Sequence, residues 1–248
     1  MHQNRHPIRE IRNKYLDNTE RFAEFHEQRI DPEHDVRSEE NYPLAIIHIA
    51  PKLAFSKAAT RFPVPELLDR DVRLNSGSSR PRHPELMTDR IASTTDPAPE
   101  RGKGGSEVCL YENATLEFIT SRASYEKGNS QFISGGSLTN AITGNLAVVL
   151  SLLADQREDQ KVLMTATYVG FDGAQFNVNR PTSPVTDDYI QAPVLSFPAH
   201  DPEDGDTYDL RTEYVKELFR PLFHSVGREG VPIDIPETLD LPDLSLDE

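Results

Sequence analysis

The sequence predicts an α+β fold: a mixed, mainly antiparallel sheet covered by three main helices, with a long irregular loop. Three observations lead to this prediction. A short apolar run between Pro43 and Pro51 is typical of a buried strand. A strand–turn–strand pattern surrounds Asn113, and three segments repeat apolar residues every three to four positions, as amphipathic helices do. Hairpins mixed with helices favour a sheet with helices packed on it. We expect one domain over residues 1–230 and an acidic C-terminal tail over residues 231–248.

The first helix is predicted from Ile8 to Ile30. Its inward positions follow steps of three and four residues, interrupted only at Asn18: Ile8, Ile11, Tyr15, Phe22, Phe25 and Arg29. Asp31 and Pro32 end the pattern, because the residue before a proline is disfavoured in a helix.

The strand around which the chain is organised lies within Tyr42–Ser56. Its run Leu44–Ala50 carries isoleucine at three positions. A run this apolar is buried on both faces, which predicts a position near the middle of the sheet. Pro43 and Pro51 bound the strand because proline cannot donate a hydrogen bond into a central ladder.

The segment Ala59–Ser106 is predicted to be irregular. Prolines interrupt it repeatedly, and serines surround Gly77. Only Phe62–Leu68 is expected to form a short turn, and the lowest order is expected between Pro81 and Gly105. A loop of this length in a compact domain is usually functional or disordered.

Regular structure is predicted again from Glu107. Strands at Val108–Tyr111 and Thr115–Thr120 are joined by a turn in which Asn113 tolerates the left-handed region. The elements that follow are a buried helix with Ser137 as its N-cap, two strands, and a last helix that Pro221 should kink or split: Ser137–Leu153, Lys161–Phe171, Ala192–Phe197 and Arg211–Val226.

Composition narrows the setting in which the protein works. The net charge is −15, with 19 arginines against 7 lysines. An acidic surface with few lysines fits a halophilic protein, whose carboxylates hold hydration in concentrated salt; an ordinary acidic cytoplasmic protein is the alternative. This charge disfavours direct binding to a nucleic-acid backbone.

A single cysteine, Cys109, excludes an internal disulfide and fits a reducing compartment such as the cytoplasm. The lack of an apolar run of about 18 residues predicts no membrane span.

The predicted central strand contains one titratable residue, His48. Three carboxylates are candidate partners for hydrolytic or nuclease-like chemistry with it: Glu112, Glu117 and Asp172. A core histidine that only hydrogen-bonds a neighbour is the simpler interpretation. The other histidines are scattered and mostly in polar settings, and no Cys-x-x-Cys spacing is present. We therefore expect no metal and no other cofactor.

Arginines of the irregular segment form a second candidate surface. The segment Ala59–Ser106 holds seven of the 19 arginines, and five of them are candidates for binding a partner: Arg61, Arg70, Arg73, Arg80 and Arg82. Guanidinium groups suit protein carboxylates and phosphates alike. The alternative is that the segment only docks on the protein's own acidic surface.

Four motifs in a fixed order resemble a known family. They are Phe22, Phe25, Arg29 and Ile30; Ile46–Pro51 with Ala54–Ser56; Val108–Asn113 with Leu116–Phe118; and Gly170–Gly173 after a strand. From residue 21 to residue 227 the chain is similar to the C-terminal companion module of prokaryotic Schlafen AlbA-type proteins, whose first domain is described as ATP-binding or DNA-binding. That first domain has no counterpart in this sequence, and Ala114 stands where the family often has glycine. The resemblance therefore implies the companion module and transfers no catalytic residue.

These observations give one leading hypothesis and two alternatives. The leading hypothesis is a non-enzymatic sensor or interaction module that works beside a separately encoded nucleic-acid-handling or ATP-handling protein, such as an AlbA-type or helicase-like partner. The first alternative is a hydrolase or nuclease-like enzyme with its site around His48. The second is a direct DNA-binding module, which requires an arginine-rich face.

Overall fold

The computed structural model describes residues 17–30, 43–56, 59–68, 72–77, 83–96, 104–154, 160–176, 183–199, 210–231, 239, 241–242 and 244. Within these ranges the helices are α1 (Asn18–Ile30), α2 (Val64–Leu68), α3 (Gly135–Leu153) and α4 (Leu210–Ser225). The strands are β1 (Leu44–Pro51), β2 (Glu85–Leu86), β3 (Arg90–Thr95), β4 (Ser106–Tyr111), β5 (Leu116–Thr120), β6 (Ser124–Lys127), β7 (Ser130–Ile133), β8 (Lys161–Val169), β9 (Gln175–Phe176), β10 (Tyr189–Gln191) and β11 (Leu195–Pro198). The predicted α+β fold, with a mainly antiparallel sheet and three long helices, is confirmed.

The strand β1 lies inside an eight-stranded sheet of order β10-β8-β1-β5-β4-β3-β2, in which β11 also pairs with β8. Both neighbours of β1 run antiparallel to it. The strands β6, β7 and β9 form a second, small sheet. The predicted central position of β1 is confirmed, and seven of its eight residues are buried.

Helices pack on both faces of the sheet at β1. Ala45, Ile47 and Ile49 belong to the main core, which also contains the inward residues of α3 and α4. On the opposite face, Ala50 packs with Phe22 of α1 and a leucine of β8. Side chains alternate along a strand, so His48 lies on the face that α1 covers.

The helix α3 forms much of the main core. It is long and apolar enough to cross a membrane by length and composition alone, but most of it is buried inside the fold, as is usual for a core helix. The predicted N-cap is wrong by three residues: Ser134 occupies that position, and its hydroxyl donates to the hydroxyl of Ser137.

The β4–β5 turn differs from its prediction in one residue. Ala114, and not Asn113, takes the left-handed conformation, with φ of 58°. Asn113 uses its side chain instead, because its Oδ1 accepts a hydrogen bond from the Thr115 amide at 3.1 Å. A glycine at position 114, as in the family that the sequence resembles, adopts this conformation without steric cost.

The predicted irregular segment is wrong in its middle part. The strand β3 pairs with β4 over six residues, and β2 forms the edge of the sheet beside it. The sequence RIASTT of β3 contains one large apolar residue, Ile91, so its apolar pattern is weak, although Ala92 and Ser93 are also buried. The low order expected between Pro81 and Gly105 is therefore wrong where the structure describes this range, because β2 and β3 are strands of the main sheet.

The predicted acidic tail also makes contact with the core where it is described. Leu244 is buried in the main core, and the Ser151 hydroxyl of α3 donates to the Pro242 carbonyl. The predicted first helix is described only from Asn18 onward, so its earlier residues lie outside the described ranges.

Candidate functional site

The inner side of α1 contacts the sheet through residues spaced three or four positions apart. Phe22 and His26 are buried, and Phe25 and Arg29 are partly buried. Positions i, i+4 and i+7 share one side of a helix. His26 therefore lies between Phe22 and Arg29 against the sheet.

His48 on β1 and Glu117 on β5 are register partners in neighbouring antiparallel strands. Cross-strand partners have their side chains on the same face of a sheet. The His48 Nε2 lies 2.9 Å from the Glu117 Oε2, and both side chains are buried. From the sequence, His48 and three carboxylates are candidates for one site, and the structure brings His48 and Glu117 into direct contact.

A chain of hydrogen bonds connects β8, α1, β1 and β5. The Thr167 Oγ1 lies 2.8 Å from the His26 Nε2, and the His26 Nδ1 lies 2.5 Å from the His48 Nδ1. An ionised Glu117 only accepts, so a neutral His48 donates from Nε2 and accepts at Nδ1. His26 consequently donates from Nδ1 and accepts from the Thr167 hydroxyl at Nε2. Every ring nitrogen of the two histidines is therefore occupied.

Arg29 and Tyr111 complete this cluster on the side of Glu117. The Arg29 Nε donates to the Glu117 Oε2 at 2.6 Å, and its Nη2 donates to the Oε1 at 2.5 Å. This is the bidentate geometry that makes guanidinium–carboxylate pairs strong. The Tyr111 hydroxyl donates to the same Oε1 at 3.3 Å. One positive and one negative charge balance within the buried cluster, which reduces the cost of burying Glu117. We call these residues the histidine cluster: His26, Arg29, His48, Tyr111, Glu117 and Thr167.

Burial and pairing set the protonation states in the histidine cluster. Burial would raise the pKa of Glu117, but hydrogen bonds from Arg29 and His48 outweigh burial and hold that pKa at about 2. Burial lowers the pKa of His26 to about 2, and the nearby His48 acts in the same direction. Burial also lowers the pKa of His48 and raises the pKa of Tyr111. At neutral pH Glu117 is therefore ionised, both histidines are neutral and the tyrosine keeps its proton.

A cleft of about 420 Å³ opens beside the histidine cluster, where β1 ends and β4 turns into β5. Three aromatic rings, three charged groups and several small or polar residues line it: Phe25, Ala54, Phe55, Ser56, Ala59, Arg61, Asp89, Tyr111, Glu112, Asn113 and Thr115. Tyr111 belongs to both the cluster and the cleft. The Phe25 ring lines the cleft and packs edge-on against the His48 ring with centroids 4.9 Å apart, so Phe25 connects the two regions.

One lining group of the cleft is left without a hydrogen bond. Thr115 is 2% exposed, and its hydroxyl has no partner among the described residues. An unpaired buried hydroxyl costs about 1–3 kcal/mol of stability. The neighbouring Asn113 is held on both sides, since it also donates to the Ala54 carbonyl at 3.3 Å.

The other two candidate carboxylates do not join the histidine cluster. Glu112 lies in the β4–β5 turn, is about half exposed and pairs with Arg61 at 3.4 Å, so it lines the cleft. Asp172 follows the far end of β8. Thr165 is the residue of β8 that faces His48, and the four residues from there to Val169 already span roughly 13 Å at a strand's rise of 3.3 Å per residue. Asp172 lies beyond that point, and we do not place it in a shared site.

The arginine candidates are placed only in part. Arg61 is 82% exposed beside the cleft, and Arg73 is exposed in the segment before β2. Arg70, Arg80 and Arg82 lie outside the described residues. The arginine-rich face that direct DNA binding requires therefore stays a prediction.

Four members of the histidine cluster were not predicted as site residues: His26, Arg29, Tyr111 and Thr167. From the sequence, His26 is one of the histidines expected mostly in polar settings, but His26 is fully buried. Its spacing of four residues from Phe22 and three from Arg29 is a sequence signal that could have placed it on the inner side of the helix. Thr167 carries no such signal, since a threonine inside a strand is ordinary.

Metal and thiol chemistry find little support in the described part of the chain. No group of three or more His, Cys, Asp or Glu side chains that could hold a metal ion occurs among the described residues. Cys109 is buried and donates to the Glu107 Oε1 at 3.2 Å. Burial raises the pKa of its thiol, which opposes reactivity because the thiolate is the nucleophile.

Comparisons with protein-family models, with curated proteins and with solved structures found no match to this chain. The family resemblance described above stays a prediction.

Proposed function

We propose that this protein is a non-enzymatic sensor or interaction module that recognises its partner or ligand at the cleft. The observation that carries this proposal is the closed hydrogen bonding of the histidine cluster. Both nitrogens of His48 are occupied, and the carboxylate of Glu117 receives donors from Arg29, His48 and Tyr111. A catalytic base needs a free lone pair within hydrogen-bond reach of its substrate, and neither residue offers one.

The protonation states support the same proposal. A general base works best when its pKa lies near the operating pH. The pKa of Glu117 is held at about 2, and burial lowers the pKa of His48. Both groups are weak bases at neutral pH, so the cluster serves as a rigid support that positions Phe25 and Tyr111 at the cleft.

The cleft has the features of a recognition site. Binding pockets combine apolar and aromatic walls with a few fixed polar groups. Phe25 and Phe55 supply apolar surface with ring centroids 5.6 Å apart, and Asn113 is fixed by its two hydrogen bonds. The unpaired Thr115 hydroxyl supplies a polar group that a bound molecule can satisfy.

The partner that we propose comes from the family resemblance. The companion module that the sequence resembles would act together with an AlbA-type or helicase-like protein, and we propose that this partner is separately encoded and that both proteins lie in the cytoplasm. The chain's own charge of −15 disfavours direct contact with nucleic acid, so the partner would carry that activity.

Filling the cleft tests the proposal. Ala59 is a partly buried lining residue, and Ala59→Trp places a large ring in the cleft without changing the core. Ala154 is exposed at the end of α3, so Ala154→Trp is the matched control. A protein identified by affinity capture at native salt should be retained by the wild type and by Ala154→Trp, and lost with Ala59→Trp at an unchanged thermal midpoint. Equal retention by all three proteins would contradict the proposed use of the cleft.

One observation favours the hydrolase or nuclease-like alternative. Tyr111 lines the cleft and its hydroxyl donates to Glu117, so this residue links the cluster to the cleft. If the protein is an enzyme of this kind, Tyr111→Phe should reduce its turnover at least about tenfold, because general acid–base groups contribute factors of 10² or more. The wild type should therefore turn over phosphodiester or ester substrates, and Tyr111→Phe should do so more slowly. If the wild type shows no turnover, or if the two proteins have equal turnover, this alternative is removed.

A further inference from the structure

The cleft carries more negative than positive charge on its walls. Two carboxylates, Asp89 and Glu112, and one cation, Arg61, are among its lining residues, while Arg90, which is not a lining residue, contacts Asp89. Asp89 is 61% exposed and its contact with Arg90 is 3.3 Å long, while Glu112 is 48% exposed and lies 3.4 Å from Arg61. These are long contacts between exposed groups, which are worth little in water. Both carboxylates therefore keep free lone pairs for a ligand.

The aromatic walls favour the same sign of ligand charge. The rings of Phe25, Phe55 and Tyr111 line the cleft. The faces of aromatic rings carry partial negative charge and attract ammonium and guanidinium groups within about 6 Å of the ring centre. The structure already contains one such contact, since the Arg90 guanidinium lies over the Tyr111 ring at 5.6 Å from its centroid.

The Thr115 hydroxyl gives the cleft a polar group that can accept a hydrogen bond from a ligand. It is buried, lines the cleft and has no hydrogen-bond partner among the described residues. Buried hydroxyl groups are normally hydrogen-bonded. An N–H donor entering the cleft would satisfy it, and this observation is independent of the charges on the walls.

The net charge of the whole chain also favours a ligand with positive charge. At −15 the protein attracts cations over distances comparable to the Debye length and repels anions. Arg61 is the only cationic group on the described walls of the cleft, and it is 82% exposed to solvent, so it gives a buried anion little support.

We infer that the cleft binds an organic cation: an ammonium or guanidinium group on an apolar stem. The stem packs against Phe25 and Phe55, the nitrogen donates to the Thr115 hydroxyl, and Asp89 and Glu112 supply the opposite charge. This inference rests on the proposed function, because it assigns a ligand class to the same recognition site. A free amine has this chemistry, and so does a lysine or arginine side chain of a partner.

Three probes that share one stem test the sign of the charge. Hexylammonium, hexanol and hexanoate differ only in their head groups, and binding is followed by chemical-shift changes in the backbone amide spectrum of the full chain. Hexylammonium should bind at least about tenfold more tightly than the other two, a ratio that corresponds to the upper range of single cation–π contacts. Ala59→Trp should abolish this binding, and Ala154→Trp should leave it unchanged.

Thr115→Val separates a ligand contact from a structural one. Valine has the shape of threonine but no hydroxyl, so the variant should bind hexylammonium several-fold more weakly while its thermal midpoint stays equal or rises. A midpoint that falls together with the affinity would show that the hydroxyl has a structural role and would overturn this step.

Paired peptides distinguish the two sources of the cation. A blocked Gly-Lys-Gly peptide has an ammonium group that the matched Gly-norleucine-Gly peptide lacks. If a partner side chain is the ligand, the lysine peptide should bind more tightly than free hexylammonium, and the norleucine peptide should not bind.

Preference for hexanoate or hexanol overturns the inference but leaves the recognition site intact. Failure of every probe, combined with partner capture that Ala59→Trp does not affect, overturns both proposals.

Discussion

Acid pH should destabilise this protein through His26 in the histidine cluster. The pKa of His26 is about 2 in the folded chain and 6.5 in the unfolded chain. Above pH 6.5 both states are neutral and the difference has no effect on stability. Below pH 6.5 the unfolded chain binds a proton that the folded chain does not, so the free energy of unfolding decreases as the pH falls.

The size of this effect follows from the difference in pKa. Each pH unit below 6.5 costs about 1.4 kcal/mol for one such histidine. Between pH 7.5 and pH 5.5 the loss from His26 is therefore about 1.4 kcal/mol, and His48 adds a loss of the same sign because burial also lowers its pKa. The interval stays above the isoelectric point of about 4.9, where association would interfere.

The assay is urea unfolding followed by far-UV circular dichroism, since the chain has no tryptophan. His26→Gln keeps one donor and one acceptor for His48 and Thr167 but cannot titrate. The variant should be less stable than the wild type at pH 7.5, and this gap should narrow by about 1.4 kcal/mol at pH 5.5. Exposed His224 offers the control substitution His224→Gln. A gap that is the same at both pH values would refute the assignment of a neutral, buried His26.

Three further predictions concern stability. Glu117→Gln should lower the free energy of unfolding by about 2–4 kcal/mol in urea titrations, because it removes the charge that pairs with the partly buried Arg29; a loss below about 1 kcal/mol would contradict the buried ion pair. Tyr168→Phe should cost about 1–3 kcal/mol, since the buried Tyr168 hydroxyl donates to the Leu218 carbonyl of α4 at 3.1 Å, and an unchanged midpoint would exclude this bond. If the protein is halophilic, its unfolding midpoint should rise between low and molar KCl, and a flat response would favour the ordinary acidic cytoplasmic protein.

Patterns along the chain predicted much of the fold. The apolar run of β1, the helical stripes of α3 and α4 and the β4–β5 hairpin are visible as periods of 2 and 3.6 residues or as unbroken apolar runs. These signals are strong because the pattern of apolar residues is repeated over many positions in each element. The strand β3 and the short strands had too few large apolar residues for such a pattern.

The sequence alone determined that His48 lies in a buried strand, because the apolar residues on both sides of it require burial. Only the tertiary structure decided which groups meet it there. His48 contacts His26, which is 22 positions away, and Glu117, which is 69 positions away, while Thr167 lies 141 positions from His26. Periodicity describes which side of one element is buried, but strand register and helix placement determine which of the buried sides face each other. The same reason explains the cleft, whose walls come from α1, the segments after β1, the turn before β3 and the β4–β5 hairpin.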